Sequence, residues 1–185
     1  MTHTRKMALI AILSAVSFLL MYLKFPLIPT ASFLEVDFSI IPIFFGLLLL
    51  DLRSAFSILI LRSILKLFLN NSGPSTVIGM PMNIVAMGVF VLAFALIWQK
   101  QPSFKNYVLA SLIGTLSLTT VMLVLNYVYA IPVYAAFANF DIREILGVKT
   151  YLFLMVVPFN LLQGILLSTV FYPIYRVSQP ILKKV

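Results

Sequence analysis

In this chain of 185 residues, 62% are hydrophobic and only 10% charged, which excludes a soluble domain, where about a quarter of residues carry charge. The mean hydropathy of +1.11 points to an integral membrane protein, and the formal charge of +8 anchors topology rather than nucleic acid, because the basic residues lie at the ends of apolar runs. Without cysteine there is no disulfide or thiolate metal site, and the single histidine, His3, sits too near the terminus to suggest chemistry.

The length allows roughly six spans of about 20 residues with short connections, so one membrane domain over 1–185 is expected. The first span runs from about Met7 to Leu23 behind Arg5 and Lys6. Its apolar run is too long, and lacks a small-x-small cleavage site, to read as a signal peptide. Ala11 and Ala15 form a small-xxx-small pair, suited to close approach by another helix, either of this chain or of a partner.

From Lys24 to Pro42, KFPLIPTASFLEVDFSIIP breaks the apolar pattern with three prolines, the hydroxyl pair Thr30 and Ser32, and the acids Glu35 and Asp37. Backbone interrupted by proline cannot satisfy itself in hydrocarbon, so this stretch must be wet or covered by protein. The second span, Phe38 to Leu50, covers only about 20 Å of a core roughly 30 Å thick. The difference is expected to be made up both by extension of the helix into the Asp51 to Ser54 region and by the preceding loop dipping into the membrane in a re-entrant manner. In the third span, Arg53 to Leu69, Arg62 and Lys66 share a face; Lys66 is expected to snorkel, while Arg62 needs a cavity or an acid such as Asp37 or Glu35.

Asn70 to Gly79 reads as a turn, and the fourth span as Met80 to Trp98 with Pro81 in its first turn. Asn83 within it needs a partner, from a neighbouring helix or from a ligand. The fifth span, about Asn106 to Tyr127, ends in NYVYAIPVY, with Asn126 and Tyr127 at the membrane border. A charged, partly helical connection leads to the last span, about Thr150 to Tyr175, which Pro158 should kink beside Asn160 and Gln163. With both termini cytoplasmic, Arg5, Lys6, Arg53, Lys100, Lys105, Arg176, Lys183 and Lys184 lie inside, against Lys24, Arg143 and Lys149 outside.

No Walker A motif, HExxH or acidic metal cluster is present, which excludes ATP hydrolysis and zinc chemistry by this chain. The outward half instead collects Thr30, Ser32, Asn83, Asn126, Asn160 and Gln163 among aromatics such as Phe33 and Tyr127. Neutral amides and hydroxyls between aromatic walls suit a flat, uncharged heteroaromatic ligand.

Over nearly its whole length the chain resembles the riboflavin-binding S component of energy-coupling factor (ECF) vitamin transporters. The resemblance is carried by K-F-P at Lys24, F-L-E-V-D-F-S-I-I-P from Phe33, and Gly79 with Met82-Asn83 and Gly88. N-Y at Asn126 followed by I-P-V-Y, and P-F-N-L-L-Q-G from Pro158, complete it. It implies an all-α bundle of six transmembrane helices in the cell membrane, with no catalytic or metal site and no cofactor, that captures riboflavin from outside. It also implies a transmembrane coupling protein and two ATPase subunits as partners, since this chain has no means of energising transport. The first loop would cover the ligand through Thr30, Ala31, Ser32 and Phe33. Residues matching Asn126 and Asn160 would hold the polar edge of the flavin, and Ala11 and Ala15 would dock on the coupling protein. Gln163 stands where the resemblance leads one to expect a lysine. The remaining alternatives are an S component for another vitamin or for FMN, and a membrane scaffold without transport activity.

Overall fold

In a computed structural model of the chain, residues 2–182 are described; Lys183 and Lys184, counted above in the inside charge, lie outside them. Helix α1 (His3–Leu20) starts where the Thr2 hydroxyl accepts the Arg5 N–H, the usual way of satisfying one of the free donors at a helix start. The proline-broken stretch folds as a small antiparallel hairpin, β1 (Phe25–Pro26) against β2 (Glu35–Val36), closed through a 3₁₀ turn at Pro29–Ala31. Ala31 and Val36 are fully buried beneath it, and Lys24 bonds Glu35 across its base. The loop thus satisfies much of its backbone by pairing with itself, a solution that two-residue strands leave invisible in the hydropathy pattern.

Helix α2 (Ile40–Leu49) and α3 (Leu52–Leu69) are joined at Asp51, whose carboxylate caps α3 by accepting from the Ser54 N–H and hydroxyl, at 2.8 and 2.9 Å. Lys6 of α1 bonds the other oxygen. Helix α4 (Pro74–Phe94) continues as a π turn through Gln99; α5 (Phe104–Leu125) continues through a π turn, Asn126–Ala130, into α6 (Ile131–Phe137). The short α7 (Ile142–Ile145) precedes a π segment, Thr150–Val156, that feeds α8 (Val157–Leu182).

The stretches His3–Leu20, Pro74–Gln99, Phe104–Phe137 and Thr150–Pro180 are long and apolar enough to cross a membrane. Of the others, α2 is apolar but only ten residues long, and α3 carries Arg53, Arg62 and Lys66. Large apolar side chains such as Phe68, Phe153, Leu154 and Ile165 project outward, as a hydrocarbon surround requires.

One boundary departs from expectation. The fourth span was expected at Met80 with Pro81 in its first turn, yet α4 begins at Pro74, and Pro81 lies inside it. Gly73, at φ 81°, ends the turn early, and Pro74 takes the first helical position, where its missing N–H costs nothing. Ser75 and Thr76, polar enough to read as loop, form the first turn of the helix. Pro158 is the second residue of α8 and directly follows the π segment Thr150–Val156, a wider turn next to the missing donor.

Helices α1, α2 and α3 pack together, α4 packs on α3 and α5, and α8 packs on α5. One half of the bundle is solid. Phe44 meets Phe94 and Phe171 at ring-centroid distances of 4.7 and 4.6 Å, and Trp98 meets Tyr175 at 4.6 Å. Gln99 ties this end of α4 to the Leu47 carbonyl of α2 at 2.8 Å. Close approach of α5 and α8 depends on Gly164, where a Cβ would overlap the side-chain atoms of Thr115.

Gly164→Val should therefore lower the thermal stability of the detergent-purified protein by about 1–3 kcal/mol, with Thr115→Ala recovering part of the loss. The hydrogen bond from Lys6, followed by that from the Ser54 N–H, lowers the Asp51 carboxyl to about 2 from 3.8. Its contribution to stability is complete above about pH 4 and lost as the pH falls through about 2. Unfolding midpoints over that range should be less pH-dependent in Asp51→Asn.

Candidate functional site

The other half of the bundle is hollow. A cavity of about 720 Å³ opens between the hairpin, the ends of α3 and α5, and the starts of α4 and α8. It lies opposite the end where Lys6 meets Asp51. The hairpin contributes Phe33, Glu35 and Asp37; α3 contributes Ser63 and Lys66. Methionines 21, 80, 82, 87 and 122 supply much of the apolar wall, and their unbranched thioethers can adapt to the outline of a ligand.

Three asparagines face this space, and the chemistry of their neighbours fixes how each amide is turned. Asn83 meets Arg62, whose NH2 group donates to Oδ1 at 2.5 Å. A guanidinium has no acceptor, so oxygen must point at Arg62, which leaves the Asn83 amide NH₂ for the cavity. Asn160 is the mirror case: its Nδ2 donates to the Val156 carbonyl at 2.7 Å, and the oxygen remains. Asn126 is committed on both sides, donating to the Met122 carbonyl at 2.7 Å and accepting from the Tyr151 hydroxyl at 2.5 Å. Gln163 is buried, lines the cavity and has no hydrogen bond to another described residue, so it can offer donor and acceptor alike. The wall therefore presents a donor from α4, an acceptor from α8 and a two-sided amide one turn further along.

Around the mouth, Lys24 and Lys66 are matched by Glu35 and Asp37. Lys66, expected to snorkel, lines the cavity instead. The Phe33 and Tyr151 rings lie nearly parallel, 24° apart with centroids at 6.3 Å. The π turn at Asn126–Ala130 directs Asn126 and Ala130 inward while Tyr127, 62% exposed, faces outward.

Of the residues singled out from sequence, the fold brings Phe33, Asn83, Asn126, Asn160 and Gln163 together on the cavity wall. Thr30 and Ser32 are exposed, and Ala31 is buried under the hairpin; the loop meets the cavity one step later, from Phe33 to Asp37. Ala11 and Ala15 lie on the exposed side of α1, away from α2 and α3. Sequence reasoning missed Tyr151, which reads as one more interfacial aromatic, and Thr76, hidden in an apparent turn.

The family "ECF transporter, substrate-specific component" matches residues 5–175. The chain belongs to this family. The riboflavin transporter RibU of Streptococcus thermophilus is 58% identical over 184 residues, covering 100% of this chain and 87% of that one. RibU of Lactococcus lactis is 42% identical, covering 92% and 91%. The solved S component of a bacterial ECF transporter superposes with a TM-score of 0.80 at 26% identity, covering 98% of this chain and 99% of that one.

In this S component, Tyr151 holds the Asn126 oxygen away from free rotation. Tyr151→Phe should cost about 1 kcal/mol in thermal stability, the value of one buried hydrogen bond, while Tyr134→Phe, whose hydroxyl has no described partner, should cost less.

Proposed function

We propose that the chain captures riboflavin from the extracellular side of the cell membrane and hands it to an energy-coupling module; it is a binding subunit, not an enzyme, and needs no cofactor. The observation that carries this reading is the arrangement of amides in the cavity. The pyrimidine edge of a flavin presents carbonyl, N–H and carbonyl in sequence. An acceptor at Asn160 and the versatile amide of Gln163 on one wall suit that edge, and Phe33 and Tyr151 offer ring faces for the tricyclic plane. The cavity is within the size range of small-molecule sites. Its mouth balances two cations with two acids, which suits an uncharged vitamin better than a phosphorylated one. Names of the relatives support the same ligand.

The proposed architecture is one domain over 1–185 with six passages, α2 and α3 completing the set begun by the four longer helical stretches. The termini lie in the cytoplasm: Arg5, Lys6, Arg53, Lys100, Lys105 and Arg176 flank the end away from the cavity, as the positive-inside tendency asks. Two ATPases and a transmembrane coupling protein are the proposed partners, and Ala11 and Ala15 on the open side of α1 the proposed docking face. Thr30, Ala31, Ser32 and Tyr127 would enter the site only if the hairpin or the π turn moves on binding.

Riboflavin added to the purified chain should lose its fluorescence on binding, and Asn160→Ala should weaken binding by about 1–3 kcal/mol. Absence of quenching in a folded preparation would exclude this ligand, and competition by FMN or another vitamin would redirect the assignment. Ala11→Trp and Ala15→Trp should abolish cellular uptake and leave riboflavin affinity unchanged. Loss of both together would point to packing within the chain.

A further inference from the structure

Arg62 has no exposed surface, yet it carries a full charge at the foot of the cavity. Its NH1 donates to the Ser39 hydroxyl and its NH2 to Asn83, both at 2.5 Å, while Nε finds no partner. Asp37 supplies the opposing charge from the hairpin side without forming an ion pair with it among the described residues. A residue retained only to knit helices together would be costly in this form: one donor is wasted, and a pair of apolar side chains would pack α3 against α4 more cheaply. What the guanidinium does that an apolar side chain cannot is dictate the orientation of Asn83.

We infer that Arg62 is a specificity-determining positioning residue: by taking the Asn83 oxygen it forces the amide NH₂ into the cavity, so that this wall donates to a ligand oxygen and rejects a ligand donor. Left alone, an asparagine can turn either way and will accommodate a carbonyl or an N–H equally. Held by Arg62 it cannot. The α4 wall then becomes a fixed donor facing the fixed acceptor at Asn160, and a ligand must bring an oxygen to one side and an N–H to the other. The choice of probe rests on the riboflavin reading; the geometry itself does not.

Two measurements on the full-length chain in detergent decide the matter. The first is riboflavin affinity by flavin fluorescence. Asn83→Ala and Arg62→Met should each weaken binding about tenfold, and the double substitution hardly further, because both remove the same donor. Arg62→Lys, which retains a donor for Asn83, should recover part of the loss. Ser39→Ala, which removes the other partner of Arg62, should lower thermal stability but leave affinity within about twofold. If the effects of Asn83→Ala and Arg62→Met simply multiply, or if Ser39→Ala weakens riboflavin as much as Arg62→Met does, Arg62 serves packing alone and the inference is wrong.

The second measurement uses no ligand. In Asn83→Asp a carboxylate replaces the amide beside a buried cation, so the melting temperature should rise where Arg62 is present and fall in the Arg62→Met background. A melting temperature insensitive to Arg62 would show that the two side chains do not meet and would overturn the inference. With riboflavin, Asn83→Asp should weaken binding at least as much as Asn83→Ala, since no donor remains; wild-type affinity in that variant would also overturn it. Should the wild-type chain fail to bind riboflavin at all, the functional reading falls, and the melting comparison still decides whether Arg62 orients residue 83.

Discussion

The constraint that organises this bundle is the need to satisfy polar groups where water is scarce, and Ser39 shows how it is met. Its N–H donates to Asp37 at 2.8 Å, its hydroxyl accepts from Arg62, and its carbonyl accepts from the Ser17 hydroxyl at 2.6 Å. Through it a single polar chain runs from α1 to the start of α2, on to α3, and through Arg62 to Asn83 of α4. In a hydrocarbon surround, apolar contact between helices offers little advantage over contact with lipid, so such bonds and close packing carry much of the cohesion. The hairpin is held at its foot by the same chain, which places Phe33 to Asp37 over the cavity.

The two halves of the bundle divide the labour. Interlocked rings of Phe44, Phe90, Phe94, Trp98 and Phe171 fill one half, and side chains in such contact leave little freedom for rearrangement. The hollow half is walled by methionines, π turns and amides, all of them adjustable elements. Of the three π segments among the described residues, Asn126–Ala130 and Thr150–Val156 border the cavity, and Asn126 of one is bonded to Tyr151 of the other. Such wide turns are rare in helices and concentrate at functional sites. A rigid base under a pliable rim is a sound arrangement for a protein that must enclose a ligand and later release it.

Much of this was legible in the residues. The apolar runs marked the helices, and the amides at 83, 126, 160 and 163 announced a polar interior because nothing else would justify them in hydrocarbon. The acids of the first loop were unreadable, since their roles depend on tertiary neighbours: Glu35 answers Lys24 across a hairpin too short to leave a pattern, and Asp37 caps Ser39. Arg62 was visibly in need of a partner, but its partners proved to be neutral, Ser39 and Asn83, on two other helices. Lys66 and the start of α4 were misread for related reasons. A cation near a helix end and a Ser-Thr-Pro cluster have ordinary explanations at a membrane border, and only the cavity beside them supplies another.

The aromatic half has a spectroscopic consequence. Trp98 is the only tryptophan in the chain, and it sits at the far end of α4 from the cavity, about 16 Å along the helix from Met87. Ultraviolet-excited tryptophan emission therefore reports on the sealed aromatic base rather than on the binding wall. A chromophore resting between the amides does not touch that indole, and its influence there is by energy transfer through space, which makes Trp98 a built-in ruler for the distance between base and occupant.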